Sequence, residues 1–105
     1  MTDQADPTGG APGPAAEPVT ATLEIRNRRG LHARAAAKFV KTAAEFDAEV
    51  EVERLDSRVN GQSIMGLMML AAAQGTTIFV SATGPDAAAA VAALKELVDR
   101  KFDED

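Results

Sequence analysis

One histidine occurs in the 105 residues, His32, and the residues around it are types that phosphoryl chemistry uses. Gly30 stands two positions before it and Arg34 two positions after. Across the run that follows, 33–44, Ala36, Phe39, Val40 and Ala43 recur at helical spacing, which places His32 at a helix N-terminus. Such an end presents unbonded backbone N–H groups and about half a positive charge, and it favours anions, phosphate above all. A neutral imidazole is a nucleophile, and the ordinary histidine pKa of about 6.5 leaves that form available near neutrality. Once a phosphoryl group is attached, the same N–H groups stabilise it, by about 0.3–2 kcal/mol for the dipole contribution. Arg34 adds a planar fork of donors suited to phosphate oxygens or to a partner's carboxylate, and both uses stay open. Gly30 suits either a positive φ or a close backbone approach. Nothing else in the neighbourhood reads as an acid–base partner. The bland alternative for His32 is a hydrogen-bonded structural histidine.

Two further stretches bear on function. Ser63 opens a short helix expected over 64–72, where its structural role is N-cap. A phosphate on Ser63 would also sit stably at that helix start and repel an acidic partner. Within the helix, Leu67 and Leu70 suffice for an inward stripe, which leaves Ile64, Met65 and Met68 outside it. Apolar residues around a surface helix, methionine above all, make an adaptable docking patch. Absorption of all of them into a loosely packed small core is the competing reading.

Composition bounds the classes of function. The chain is long enough for one domain, and 46% of it is hydrophobic, with four Phe and no Tyr or Trp. The absence of cysteine rules out disulfides and thiolate chemistry, and with one histidine it argues against a zinc site. No cofactor is expected. No apolar run approaches the ~18 residues of a membrane span, and no secretory leader is evident, so a cytoplasmic protein is expected. Net charge is −5, with residues 1–20 carrying −3. Six of the eleven basic residues (Arg26, Arg28, Arg29, Arg34, Lys38, Lys41) nevertheless fall between 26 and 41, where no acid occurs. This basic field around His32 would steer phosphate-bearing or acidic partners, unless it is only a solvated face. A small RNA-binding domain is the weakest alternative, because the pI near 4.8 and the lack of stacking aromatics oppose it.

These residues need elements to position them. Residues 1–19 hold four of the five prolines and are expected to form a disordered tail, with one domain over 20–105. Alternation over 21–26 predicts a strand with Leu23 and Ile25 inward, then a loop through Gly30 and the helix, with Lys38 and Lys41 facing outward. A strand follows over 48–54, with Val50 and Val52 inward. A turn at Asp56-Ser57 leads to a short strand around Val59, and Asn60-Gly61 marks another turn. The Ser63 helix ends at Gln74-Gly75, a strand spans 76–82, and Gly84-Pro85-Asp86 starts a helix reaching about Lys101. The order is βαββαβα. Four short strands with one apolar face need helices over that face, which predicts a two-layer α+β sandwich with the other face in water.

Gly30-Leu31-His32-Ala33-Arg34, the following Ala36-Ala37-Lys38-Phe39-Val40-Lys41, Ser63 opening an apolar helix, and the strand end Ser81-Ala82-Thr83-Gly84 together resemble HPr. HPr is the histidine-containing phosphocarrier of the bacterial phosphoenolpyruvate-dependent phosphotransferase system. The resemblance covers about residues 20–102. It implies an open-faced β-sandwich, a four-stranded antiparallel sheet covered on one face by three helices. By the resemblance, His32 accepts a phosphoryl group on Nδ1 from enzyme I and passes it to a histidine of an EIIA-type protein, with Arg34 assisting. The same resemblance makes Ala37, Lys38, Lys41, Ile64, Met65 and Met68 a partner surface and Ser63 the target of HPr kinase/phosphorylase where that enzyme is present; a monomer is expected, and the acidic net charge and the lack of an apolar span leave neither nucleic acid nor membrane as an expected partner. Two departures stand out. Ala35 replaces a proline common in the family, and Arg29 replaces a small polar residue. Arg28-Arg29-Gly30 and the end Phe102-Asp103-Glu104-Asp105 look more like the nitrogen-related branch, which points to regulation rather than sugar uptake. A binding module that docks through 64–70 with His32 idle is the alternative.

Overall fold

The structure, a computed structural model, describes residues 17–104. Most of the expected tail, residues 1–16, lies outside the described residues. Val19, assigned to that tail from sequence, instead begins the first strand. The chain runs β1 (Val19–Glu24), α1 (Ala33–Ala44), β2 (Glu49–Arg54), β3 (Ser57–Asn60), α2 (Ile64–Met69), β4 (Thr77–Thr83) and α3 (Ala87–Asp99). The strands form one antiparallel sheet in the order β1-β4-β2-β3. This is the α+β sandwich that the alternating strands and amphipathic helices imply.

Period-two alternation decides which face is dry. Leu23 pairs with Ile78, Val50 with Ala82, and Val52 with both Val80 and Val59, so these side chains line one face. Against them the helices press Ala35, Ala36, Phe39 and Ala43 from α1, Leu67 from α2, and Ala90, Val91, Leu94, Leu97 and Val98 from α3. Each large aliphatic or aromatic side chain buried this way contributes about 1.5–3 kcal/mol. Alanine supplies much of the helical side of the core, which lets α3 approach β1 and β4 closely and α1 pack against α2 and α3. The other face carries Thr20, Thr22, Glu49, Glu51 and a half-exposed Phe79. Arg58 on β3 reaches Glu51 and Glu53 at 3.4 Å across that wet edge.

Several boundaries differ from the sequence expectation, each for a local reason. The β2–β3 turn is at Leu55-Asp56, one residue early, with Leu55 left-handed at φ 55°. Helix α2 stops at Met69 because Ala71 turns left-handed at φ 53°. Helix α3 begins at Ala87, with Asp86 as N-cap rather than in the first turn; its carboxylate accepts from the Asp47 backbone N–H at 2.9 Å instead of capping its own helix. At its other end α3 stops at Asp99, two residues short of the expected Lys101, because Lys101, Phe102 and Asp103 take left-handed φ values of 60°, 55° and 62°. Val40, expected inward, is only half-buried.

Candidate functional site

The loop between β1 and α1 is tied down before it reaches His32. Asn27 is completely buried, and its Nδ2 donates to the Gly30 carbonyl at 2.7 Å, while its backbone carbonyl accepts from the Gly30 N–H at 3.2 Å. Gly30 has φ 68°, and a Cβ there would lie 2.5 Å from the Ala72 carbonyl oxygen. Both a left-handed backbone and a close approach are therefore needed at this one position. The approach lets the next residue, Leu31, donate its N–H to the same carbonyl at 2.9 Å, which ties the loop to the segment after α2. His32 follows as N-cap of α1, extended at φ −77° and ψ 179°, and its side chain makes no capping hydrogen bond. The first turn of α1 carries no acidic residue either. Its N–H groups thus point at the solvent-facing end beside the imidazole, where an anion is favoured.

The ring has a partner that sequence reasoning missed. Its Nε2 meets the carboxylate of Glu104, and the two side chains are 16% and 19% exposed. This corrects the expectation that no acid–base partner lies near His32: the partner is 72 residues away in sequence. Glu104 arrives there by way of the left-handed segment after α3. Three consecutive left-handed L-residues cost about 1–2 kcal/mol each. Burying Phe102 completely in the core, about 1.5–3 kcal/mol, offsets part of that cost. The turn is further held by Lys38, whose Nζ donates to the Phe102 carbonyl at 2.7 Å, and by Arg100, whose Nε meets Asp103 at 3.0 Å. Lys38 is accordingly half-buried rather than facing outward. The second oxygen of Glu104 accepts from Asn27 Nδ2 at 3.1 Å, so one buried amide organises both the Gly30 turn and the carboxylate. Asn27 Oδ1 has no partner among the described residues. Burial pushes the Glu104 carboxyl up, but the hydrogen bonds from His32 and Asn27 and the positive charge of His32 and Arg29 outweigh it, and the net result lies below the usual carboxylate range.

Beside this pair lies a cleft of about 420 Å³ walled by Arg28, Arg29, Arg34, Lys38, Asp103 and Glu104. Four cations against two carboxylates leave it net positive. Arg34 is exposed, as are Ala37 and Lys41 farther along α1. Four of the six basic residues of the 26–41 stretch, Arg28, Arg29, Arg34 and Lys38, therefore gather at the start of α1, while Lys41 lies in its last turn and Arg26 faces Asp99. Some 30 residues on, Ser63 caps α2, its Oγ accepting from the Gly66 N–H at 2.9 Å. Helix α2 buries Leu67 and leaves Ile64, Met65 and Met68 exposed at 40%, 70% and 40%. Met69, absent from the expected patch, is exposed at 77% and enlarges it. Helices α1 and α2 pack against one another, so the apolar patch and the basic end of α1 belong to neighbouring elements. Among the described residues no group of three or more His, Cys, Asp or Glu side chains could hold a metal ion, and no helix is long and apolar enough to cross a membrane.

A single imidazole at an anion-favouring helix start, edged by a shallow cationic cleft rather than an enclosing pocket, suits a protein that carries a phosphoryl group between larger partners. Comparison with known proteins agrees. Residues 19–100 match the family described as "PTS HPr component phosphorylation site". The phosphocarrier protein HPr of Neisseria meningitidis serogroup A is 55% identical over 83 residues, which span 79% of this chain and 93% of the relative. The phosphocarrier protein NPr of Shewanella violacea is 46% identical over 82 residues, 78% of this chain and 90% of the relative. The crystal structure of HPr-C-His from Thermoanaerobacter tengcongensis superposes with a TM-score of 0.80 at 45% identity, covering 83% of this chain and 98% of that one. The chain belongs to the HPr family and is a phosphocarrier of the phosphotransferase system. Relatives of both the HPr and NPr names are similar to it, the HPr named above at the higher identity.

Proposed function

We propose that His32 is the phosphoryl acceptor, taking the group on Nδ1 from phosphorylated enzyme I and passing it to a histidine of an EIIA-type protein. The observation that carries this reading is the position of the chain's only histidine, N-cap of α1 with no capping bond of its own and a net positive cleft alongside. Arg34 stands in the cleft wall where its guanidinium reaches phosphate oxygens or a docked carboxylate. Catalysis in such a transfer is largely positioning and charge stabilisation, and the partner completes the environment. Docking falls to Ala37, Lys38 and Lys41 together with Ile64, Met65 and Met68. The protein acts as a cytoplasmic monomer between its partners, without cofactor or metal. Incubation with phosphoenolpyruvate and enzyme I, followed by phosphorus NMR, tests the reading. An acid-labile, base-stable signal absent from His32→Ala is the expected result. No signal with active enzyme I, or an undiminished one in the variant, overturns it.

Ser63 supports a second, regulatory reading. Its hydroxyl sits at the α2 start, next to Ile64 and one turn from the exposed methionines. A phosphoryl group on it would place a dianion at the edge of the apolar patch and hinder docking to an acidic partner. Incubation with ATP and HPr kinase/phosphorylase, with Ser63→Ala as control, tests this separately from His32.

A further inference from the structure

Acceptance of a phosphoryl group by His32 does not by itself call for a carboxylate on the far side of the ring, yet the fold goes to some length to put one there. Glu104 is anchored on all sides. Phe102 plugs the core, Lys38 binds the Phe102 carbonyl, Asn27 donates to one carboxylate oxygen, and Nε2 of His32 meets the other. The Asn27 amide can face only one way here, because its two neighbours, the Gly30 carbonyl and Glu104, are both acceptors. The carboxylate is thus presented to His32 by a built arrangement, not by a loose end.

A carboxylate against Nε2 requires a proton on Nε2. In a neutral imidazole one nitrogen carries the proton and the other the lone pair, and the hydrogen bond made by one decides the role of the other. We propose that Glu104 is a positioning residue that holds His32 as the Nε2–H tautomer, which puts the lone pair on Nδ1 and makes Nδ1 the accepting atom. The inference rests on the reading of His32 as acceptor and deepens it. In the transfer, the Nδ1 lone pair forms the new N–P bond. The bond from phosphorus to the donor's ring nitrogen breaks, and its electron pair stays with the donor ring. The Nε2 proton remains in place, so the His32 ring becomes cationic as the donor ring becomes neutral. Glu104 then faces a positive ring across an existing hydrogen bond, and no group needs to move to meet the new charge.

The test begins without any phosphoryl donor. Long-range proton–nitrogen correlation spectra of the full chain, labelled with nitrogen-15 and held at about pH 8 where an ordinary imidazole is neutral, report the ratio of the two tautomers. The ratio of Nε2–H to Nδ1–H in the wild type is expected to exceed that in Glu104→Ala by about tenfold, the least that a hydrogen bond to a charged group supplies. Glu104→Gln has no charge and only one oxygen, so with that oxygen toward Nε2 it loses the Asn27 bond and is expected to retain part of the tautomer bias. Both variants should accept the phosphoryl group from enzyme I about tenfold more slowly at saturation, with KM little changed, because Glu104 acts through the ring and not through the docked surface. An unchanged tautomer ratio in a folded Glu104→Ala protein overturns the proposal, and a wild-type rate in Glu104→Gln overturns its charge component. Should the alanine variant fail to fold, the Glu104→Gln rate still decides the charge component, and a wild type showing mainly Nδ1–H would sink the tautomer assignment unaided. Failure of His32 itself to become phosphorylated would instead strike the acceptor reading, and it leaves the tautomer spectra to be judged on their own.

Discussion

Replacing Gly30 by alanine probes how the loop before His32 is held. Two costs arise at that position. An L-residue at φ 68° costs about 1–2 kcal/mol relative to glycine. The new Cβ would also lie 2.5 Å from the Ala72 carbonyl oxygen and 3.0 Å from Ala73 Cα, both of them backbone, so neither can swing aside as a side chain would. The loop must therefore lift away, which strains the 2.9 Å hydrogen bond from Leu31 N–H to the Ala72 carbonyl, worth about 0.5–1.5 kcal/mol. Together these give a destabilisation of about 2–3 kcal/mol. A small domain loses roughly 4–8 °C of Tm per kcal/mol, so a drop of about 10–20 °C is expected. Gly75 provides the control. It too is left-handed, at φ 88°, but a Cβ there meets nothing within 4 Å. Gly75→Ala should show only the conformational cost, and the reduced entropy of the unfolded chain acts equally in both variants. Urea or thermal unfolding of the pair isolates the close-approach contribution, about 1 kcal/mol or more. Because Asn27 Nδ2 also holds the Gly30 carbonyl, Gly30→Ala should slow phosphoryl acceptance, whereas Gly75→Ala should leave it near the wild-type rate. Equal destabilisation by the two substitutions would refute the close-approach argument.

Phe102→Ala should cost about 3–5 kcal/mol in urea unfolding, as for other fully buried aromatics. It should also free Glu104 from His32, seen as loss of the tautomer bias in whatever fraction stays folded. Ser63→Ala removes the acceptor for the Gly66 N–H and should destabilise by about 1 kcal/mol. Ser63→Asp keeps an acceptor and adds charge, so calorimetric titration should show weaker enzyme I binding with little loss of Tm. Glu104 has a pKa lowered in the fold, so its contacts stabilise fully above the ordinary Glu value of about 4.3 and are lost as pH falls through the depressed one. Asp103, which its hydrogen bond to Arg100 holds low, titrates in the same acid range. The difference between wild type and Glu104→Gln in acid unfolding therefore isolates the Glu104 contribution, and parallel profiles would show that the contact adds nothing.

The sequence made local features legible and left the long-range ones hidden. Strand alternation and the α1 stripe depend on neighbours two to four residues apart, so Leu23, Val50, Val52 and Phe39 could be assigned inward without knowing the topology. The Ser63 cap and the split of α2 into buried Leu67 and exposed Met65 follow from the same short-range logic. What could not be read this way is any contact set by the path of the chain. Lys38 lies on the polar side of α1 by periodicity, and only the returning C-terminal segment draws it inward. Glu104 sits in an acidic run that reads as a solvated end, and the one clue against that reading is Phe102, a large apolar residue with no place in such a run. Burial of Phe102 holds its neighbours against the domain, and in this fold they lie at the start of α1, where Lys38 binds the Phe102 carbonyl and Glu104 meets His32. The tied Gly30 loop places His32 as the α1 N-cap on one side of that junction, and Phe102 brings Glu104 to the other. Asn27, polar and fully buried, bonds to the loop before the histidine and to the carboxylate, so a change in either is felt by both. The chemistry of the imidazole is in this sense set as much by the last turn of the chain as by the motif around it.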